Sequence, residues 1–307
     1  MTNVFALQLL RGRLVSFPTE TVYGIGADAE NESAIVRMYE VKGRPIKHPV
    51  IVHISNQDLV SYWAKEIPDY ATALMRNFWP GPMTLILRRT QNAKDFITGG
   101  QEFVGLRIPS HPIALRILNE FESLGGHGVA APSANRFGSV SPTSARDVIE
   151  EIGELLGEED LILDGGTCEV GVESTIINCS RELPRILRLG AVTEAMIETV
   201  TPIDTDSNLE EIRVSGSLTR HYSPQAKVVI DREAEPGEGF IALSNIPTPN
   251  GVIRLSAPDS VEDYARSLYS ALRKGDSAGL GVIVVNPPRG EGLAAAIRDR
   301  ILRASAH

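Results

Sequence analysis

Cysteine is scarce: Cys168 and Cys179 are the only two in 307 residues. That excludes a disulfide framework and points to a reducing, cytoplasmic setting. The six histidines and two cysteines show no zinc-ligand spacing, so no protein-held metal is expected. Aromatic residues make up 6% of the chain and the formal net charge is −9, which argues against a basic nucleic-acid coat protein. No apolar run approaches the roughly 18–20 residues of a membrane span. The opening MTNVFALQLLRGR places its arginines after the apolar stretch, unlike a signal peptide. The dipeptide Gly-Lys never occurs, so there is no P-loop, and no Gly-x-Ser-x-Gly elbow is found.

What is present reads as an ordinary globular chain, 42% hydrophobic and 22% charged, long enough for about two domains. Residues 226–307 carry ten acidic and ten basic side chains, so the whole acidic excess lies in residues 1–225. Against it, Arg37, Lys42, Arg44 and Lys47 face only Glu40 within residues 37–48, a local +3. A small basic island in an acidic domain suits one anionic small ligand.

Apolar runs at 14–17, 50–54, 83–87, 104–108, 128–131, 161–164, 174–177 and 185–189 read as strands. Helical spacing occupies 33–41, 68–78, 111–121 and 144–156, with Ser110 and Thr143 as N-caps of the last two. The segment Gly24-Ile25-Gly26-Ala27-Asp28-Ala29 fits a dinucleotide fingerprint only on paper and reads as a Gly-rich turn. The pattern implies an α/β fold with a mixed to mostly parallel open sheet over residues 1–200. Residues 201–225 read as a linker, and 226–307 as a small Rossmann-like α/β unit with parallel-sheet character.

Four segments carry chemistry. FPTETVYGIG (17–26) sets hydroxyls and a carboxylate at a strand exit, and KGRP (42–45) sets two cations around a glycine. APSAN (131–135), followed by SPT (141–143), ends a strand in small polar residues before a helix. GVESTII (171–177) leads to Arg188-Leu189-Gly190. Each alone also fits turn, cap or surface-charge use.

Together, and with PVIVHI (49–54), WPGPMTLIL (79–87), LRIPSHP (106–112), DGG (164–166) and His221-Tyr222-Ser223-Pro224 after Arg220, they resemble the YrdC-like threonylcarbamoyl-adenylate synthase family in its two-domain form. The resemblance implies an open twisted α/β sheet with a concave cationic face. It implies a nucleotidyltransferase that joins L-threonine, bicarbonate or CO2, and ATP into threonylcarbamoyl-AMP and pyrophosphate, with Mg2+ accompanying the ATP. The product would pass to a tRNA threonylcarbamoyltransferase machinery, with weak tRNA binding as a further expectation. Carried over, Lys42 and Arg44 are the catalytic pair that holds the triphosphate. Thr19, His53, Arg107, Ser133 and Ser174 bind threonine, with Arg107 on its carboxylate. Asn135, Ser141, Arg188 and Tyr222 join Lys42 and Arg44 around the nucleotide, with His221 a weaker candidate. The alternatives are a carbamoyltransferase using the same fold, or a non-enzymatic RNA-binding module. Residues 226–307 show no chemical motif, so their expected part is to anchor a linker that covers the ATP site as a lid.

Overall fold

Polar punctuation and glycine decide where each element begins and ends. The computed structural model describes residues 3–205, 212–216 and 221–306. Helix α1 (Asn3–Leu10) leads into strands β1 (Val15–Phe17) and β2 (Gly24–Asp28). Helix α2 (Glu32–Lys42) opens where the Asn31 side chain accepts the Ala34 amide and closes at Gly43, which takes the left-handed conformation at φ 60°. Then come β3 (Ile51–His53), α3 (Val60–Trp63), α4 (Asp69–Phe78), β4 (Met83–Arg88), α5 (Asp95–Thr98) and β5 (Phe103–Arg107). The first unit finishes with α6 (Pro112–Ser123), β6 (Val129–Ala130), α7 (Ala145–Ile152), β7 (Leu161–Ile162), β8 (Thr175–Asn178), β9 (Arg185–Arg188) and α8 (Glu194–Glu198).

Two caps differ from the sequence reading by one residue each. His111, not Ser110, caps α6 by accepting the Ile113 amide, because Pro112 fixes the first helical position. Ser144, not Thr143, caps α7 through a reciprocal pair with Asp147, while the Thr143 amide donates to the Asp147 carboxylate.

The nine strands form one mixed sheet in the order β7-β1-β2-β6-β3-β5-β4-β8-β9. Its parallel pairs are β1–β7, β3–β5 and β4–β8, and the remaining neighbours are antiparallel. Helices α1 and α6 supply Leu9, Ile117 and Phe121 to a core against Phe17 and Val129. Ile35, Met38, Leu74 and Met75 of α2 and α4 join a larger core with Ile25, Val52, Leu85 and Leu106.

The second unit is β10 (Lys227–Ile230), β11 (Gly239–Ile241), β12 (Ile253–Ser256), α9 (Val261–Ser277), β13 (Val282–Val285) and α10 (Leu293–Ser305). Its strands run all parallel in the order β10-β13-β11-β12. Its core does not stop at the boundary: Val22, Val140 and Val172 of the first unit pack with Tyr264, Tyr269 and Leu272 of α9. Among the described residues no helix is long and apolar enough to cross a membrane.

Strand β2 corrects the Gly-rich turn expected at 24–29. It pairs on both edges, Val15 opposite Gly26 and Ala130 opposite Ala27. The glycine is there for packing, since a Cβ at Gly26 would lie 2.8 Å from the Phe17 ring and 2.9 Å from Val129. Overpacking of this kind typically costs about 1–3 kcal/mol. Gly26→Ala is therefore expected to lower the unfolding free energy by that amount, read as a lower urea midpoint at an unchanged m-value, and an unaltered midpoint would show that the ring moves freely.

Candidate functional site

A polar cavity of about 40 Å3 opens over the middle strands of the large sheet. The β1–β2 turn gives it Thr19, Thr21 and Val22; β3 gives Ile51 and His53, and β5 gives Arg107. Ser133, Glu173, Ser174 and Arg188 come from the far side, and Ser215, His221 and Tyr222 from the linker. Of the residues expected at the site, Thr19, His53, Arg107, Ser133, Ser174, Arg188, Tyr222 and the weaker candidate His221 thus share one wall.

Lys42, Arg44, Asn135 and Ser141 lie behind it. Lys42 is the last residue of α2 and is buried, and its Nζ donates to the Ser133 and Asn135 carbonyls at 2.6 and 2.5 Å. Just past the Gly43 cap, Arg44 donates to the Pro49 carbonyl at 2.8 Å and lies 5.5 Å from the centre of the Phe137 ring. The Ser141 hydroxyl faces a carboxylate, donating to Glu173 at 2.6 Å.

The threonine-site expectations meet local partners too. Thr19 Oγ1 donates to the Val22 carbonyl at 2.7 Å and accepts the Thr21 and Val22 amides, a side-chain turn that shapes the strand exit. Arg107 meets a carboxylate of the chain itself, Glu20, at 2.7 Å, and Thr21 Oγ1 at 3.1 Å. Ser174 Oγ lies 2.8 Å from Thr84 Oγ1 and accepts from Arg188 at 3.1 Å. Gly190, which follows Arg188, is wedged against backbone: a Cβ there would lie 2.5 Å from the Thr175 amide nitrogen.

Electrostatically the site is short of negative charge. Burial pushes the Lys42 ammonium well below its ordinary range, and the Arg44 charge pushes it further. Burial lowers Arg44 and Arg188 as well, each partly offset by nearby tyrosines. Four buried atoms, His53 Nδ1, Asn135 Oδ1, His221 Nδ1 and the Tyr222 hydroxyl, have no hydrogen-bond partner among the described residues. Such atoms are costly unless a ligand or water meets them.

Sequence reasoning missed Glu20, Thr21, Glu173, Ser215, Tyr269 and Arg300. Glu173 stood inside a quoted motif but drew no role. The second unit reaches the site directly, because its Tyr269 hydroxyl and Arg300 Nε both donate to Glu173, at 2.9 and 2.8 Å.

Sequence comparison places residues 8–190 in the Sua5/YciO/YrdC family, described as "Telomere recombination". Residues 192–306 match "Threonylcarbamoyl-AMP synthase, C-terminal domain". The threonylcarbamoyl-AMP synthase of Pyrococcus abyssi is 38% identical over 96% of this chain and 91% of its own. The chain belongs to the two-domain Sua5/YrdC family. The Bacillus subtilis threonylcarbamoyl-AMP synthase is 35% identical over 98% of this chain and 92% of its own. The crystal structure of Pyrococcus abyssi Sua5 complexed with L-threonine superposes with a TM-score of 0.88 at 36% identity, covering 99% of this chain and 94% of that one. Full-length HypF shares the fold alone, at 14% identity over 61% of this chain and 28% of its own, with a TM-score of 0.52.

The two imidazoles give the site a pH signature. Burial first, then neighbouring cations, hold both His53 and His221 down at about 3, against an ordinary 6.5. The unfolded chain therefore binds protons that the folded chain refuses, and stability falls as pH drops from 6.5 toward 3. The expected loss is about 1.4 kcal/mol per pH unit for each imidazole within that window. Thermal unfolding between pH 7 and pH 5 should show it, with a flatter slope in His53→Asn. Identical slopes in the two proteins would contradict a neutral buried His53.

Proposed function

We propose that this chain is a threonylcarbamoyl-AMP synthase whose cavity takes L-threonine and ATP with bicarbonate or CO2. The observation that carries the reading is the buried, under-neutralised cation group Lys42, Arg44 and Arg188 beside a cavity with unpaired polar atoms. A triphosphate supplies the missing negative charge, and a small polar amino acid supplies the missing hydrogen bonds.

In the reaction so assigned, threonine's amine forms a bond to carbon and becomes a carbamate, with loss of water from bicarbonate or of a proton when CO2 is used. A carbamate oxygen forms a bond to the α-phosphorus of ATP, and the bond from that phosphorus to pyrophosphate breaks. The site suits a step without a protein nucleophile. Burial raises both thiols, Cys168 to about 12, so neither is an activated nucleophile at neutral pH. The histidines, held near 3, are poor bases there. Alignment of the two substrates and stabilisation of phosphoryl charge by Lys42, Arg44 and Arg188 remain as the sources of rate. Among the described residues no three His, Cys, Asp or Glu side chains gather to hold a metal. Mg2+ would enter with ATP as part of the substrate.

The linker fits the role of cover. Arg188 donates to the Ser215 carbonyl at 2.9 Å, and Val214 packs on Ile86 and Ile176. Arg213 reaches the Lys47 and Gly99 carbonyls. Residues 206–211 and 217–220, Arg220 among them, lie outside the described residues. A carbamoyltransferase reading is less favoured, because the second half matches the synthase's own C-terminal domain. An RNA-binding module is less favoured because the cations are buried and the chain carries −9. Hand-over of the product to a tRNA-modifying transferase, in the cytoplasm, completes the proposal.

Purified protein given MgATP, L-threonine and bicarbonate should release pyrophosphate and form threonylcarbamoyl-AMP. Release that ignores either threonine or bicarbonate would refute the assignment. Arg44→Ala should raise the KM for ATP about 10- to 150-fold, the worth of one charge-assisted hydrogen bond. Valine should turn over far more slowly than threonine, by up to about 10^4-fold, because it leaves the buried His53 Nδ1 unpaired. Equal rates for the two amino acids would show that the hydroxyl is not read.

A further inference from the structure

We propose that Arg300 and Tyr269, both from the second unit, are positioning residues of the nucleotide site that act through Glu173 and Tyr222. The inference rests on ATP occupying the cavity described above.

Glu173 is a carboxylate on the cavity wall, and both its oxygens are taken up by hydrogen bonds from the protein. One accepts from Ser141 at 2.6 Å, and the other accepts from Tyr269 at 2.9 Å and Arg300 at 2.8 Å. Arg300 is itself buried in α10. Its remaining nitrogens donate to Asp299 at 2.5 Å and to the Leu189 carbonyl at 2.7 Å, beside Arg188. Each of the three guanidinium nitrogens thus donates a hydrogen bond, which is how a buried arginine is tolerated.

The arrangement decides where a negative charge points. Glu173 and Arg188 lie close enough to influence each other's ionisation. A Glu173 carboxylate released by Arg300 would be drawn to Arg188 and would neutralise the cation group from within. Held by Arg300 and Tyr269, it leaves the group positive toward the cavity. Arg300 therefore reserves Arg188 for an anionic ligand.

The same two side chains set Tyr222. Its backbone takes φ +62°, a left-handed conformation that a non-glycine residue keeps only where its surroundings enforce it. The Arg300 guanidinium lies 5.3 Å from the Tyr222 ring centre, and the Tyr269 ring stacks on it at 5.7 Å and 25°. The preceding His221 amide donates to the Arg303 carbonyl at the end of α10. Tyr222, which lines the cavity and whose buried hydroxyl has no hydrogen-bond partner among the described residues, is thereby held from the second unit.

The test uses the full chain and pyrophosphate release, with ATP and L-threonine varied separately. Tyr269→Phe keeps the ring and removes one hydrogen bond to Glu173. It should raise the KM for ATP about 3- to 10-fold and leave that for threonine within about twofold. Arg300→Met should raise the KM for ATP more than tenfold, and adding Glu173→Gln in that background should restore it to within about threefold. The split between the two substrates is the decisive readout, since relieving a stranded carboxylate would also rescue a purely structural pair but would move both KM values together. An unchanged KM for ATP in Tyr269→Phe, or parallel rises for both substrates, overturns the inference, and so does a double variant worse than Arg300→Met. Where Arg300→Met fails to fold, Tyr269→Phe decides alone. Inactive wild-type protein would overturn the site assignment itself, whereas active wild type matched by its variants overturns only this inference.

Discussion

Burying Lys42, Arg44 and Arg188 around one small cavity is the costly arrangement on which the rest of the structure depends. Like charges removed from water are unfavourable, and here most of their immediate partners are neutral. Lys42 meets the carbonyls of Ser133 and Asn135, Arg44 that of Pro49, and Arg188 those of Ser174 and Ser215. Carbonyl dipoles solvate a cation without cancelling its charge, so a positive field survives in the cavity. Local structure serves this end. The left-handed Gly43 stops α2 with Lys42 pointing inward and turns the chain so that Arg44 follows on the next segment. The loop after β6 then presents its carbonyls to Lys42.

The second half of the chain enters the same balance. A Cβ on Gly171 would lie 2.5 Å from the Ala265 carbonyl, so the loop carrying Glu173 is pressed directly on α9. Val22, Val140 and Val172 are sealed beneath Tyr264, Tyr269 and Leu272. With this interface in place, the Glu173 carboxyl sits well below its ordinary range. Burial alone would raise it, but the Arg300 and Arg188 charges and the Ser141 hydrogen bond outweigh burial. The negative charge is therefore permanent at neutral pH and always directed to Arg300. The two parallel and mixed sheets are separate as topology and continuous as electrostatics.

Much of this was legible in the sequence, and the reasons for the rest are specific. Runs such as MTLIL (83–87) and VGLRI (104–108) read as strands because apolar β-formers bounded by turn residues leave little choice. The ordered motifs named the family and brought eight of the expected residues to one wall. Strand β2 was lost because its two glycines mimic a turn, whereas Gly26 is required by the Phe17 ring and Val129 packed against it. The Ser110 and Thr143 caps slipped by one residue because a proline and an aspartate beyond them decide the start. Arg300 could not be found at all. It sits 127 residues from Glu173 on an otherwise ordinary amphipathic helix, and no local pattern records such a pairing.

The cavity itself links binding to the linker. A free space of about 40 Å3 remains there, room for water molecules. Ser215 and Tyr222 fill part of that space, and the Ser215 carbonyl occupies the Arg188 nitrogen that a phosphate oxygen would use. On the proposed reading, ATP and the linker compete for one donor, so a nucleotide enters only as Ser215 withdraws. The exchange favours the ligand, because a charge-assisted bond to phosphate is roughly twice as strong as one to a neutral carbonyl. Tyr222 need not leave with it, because its ring is held by Arg300 and Tyr269 of the second unit. A site that must exclude water from a labile carbamate, and still admit a triphosphate, is served by a cover anchored in this way.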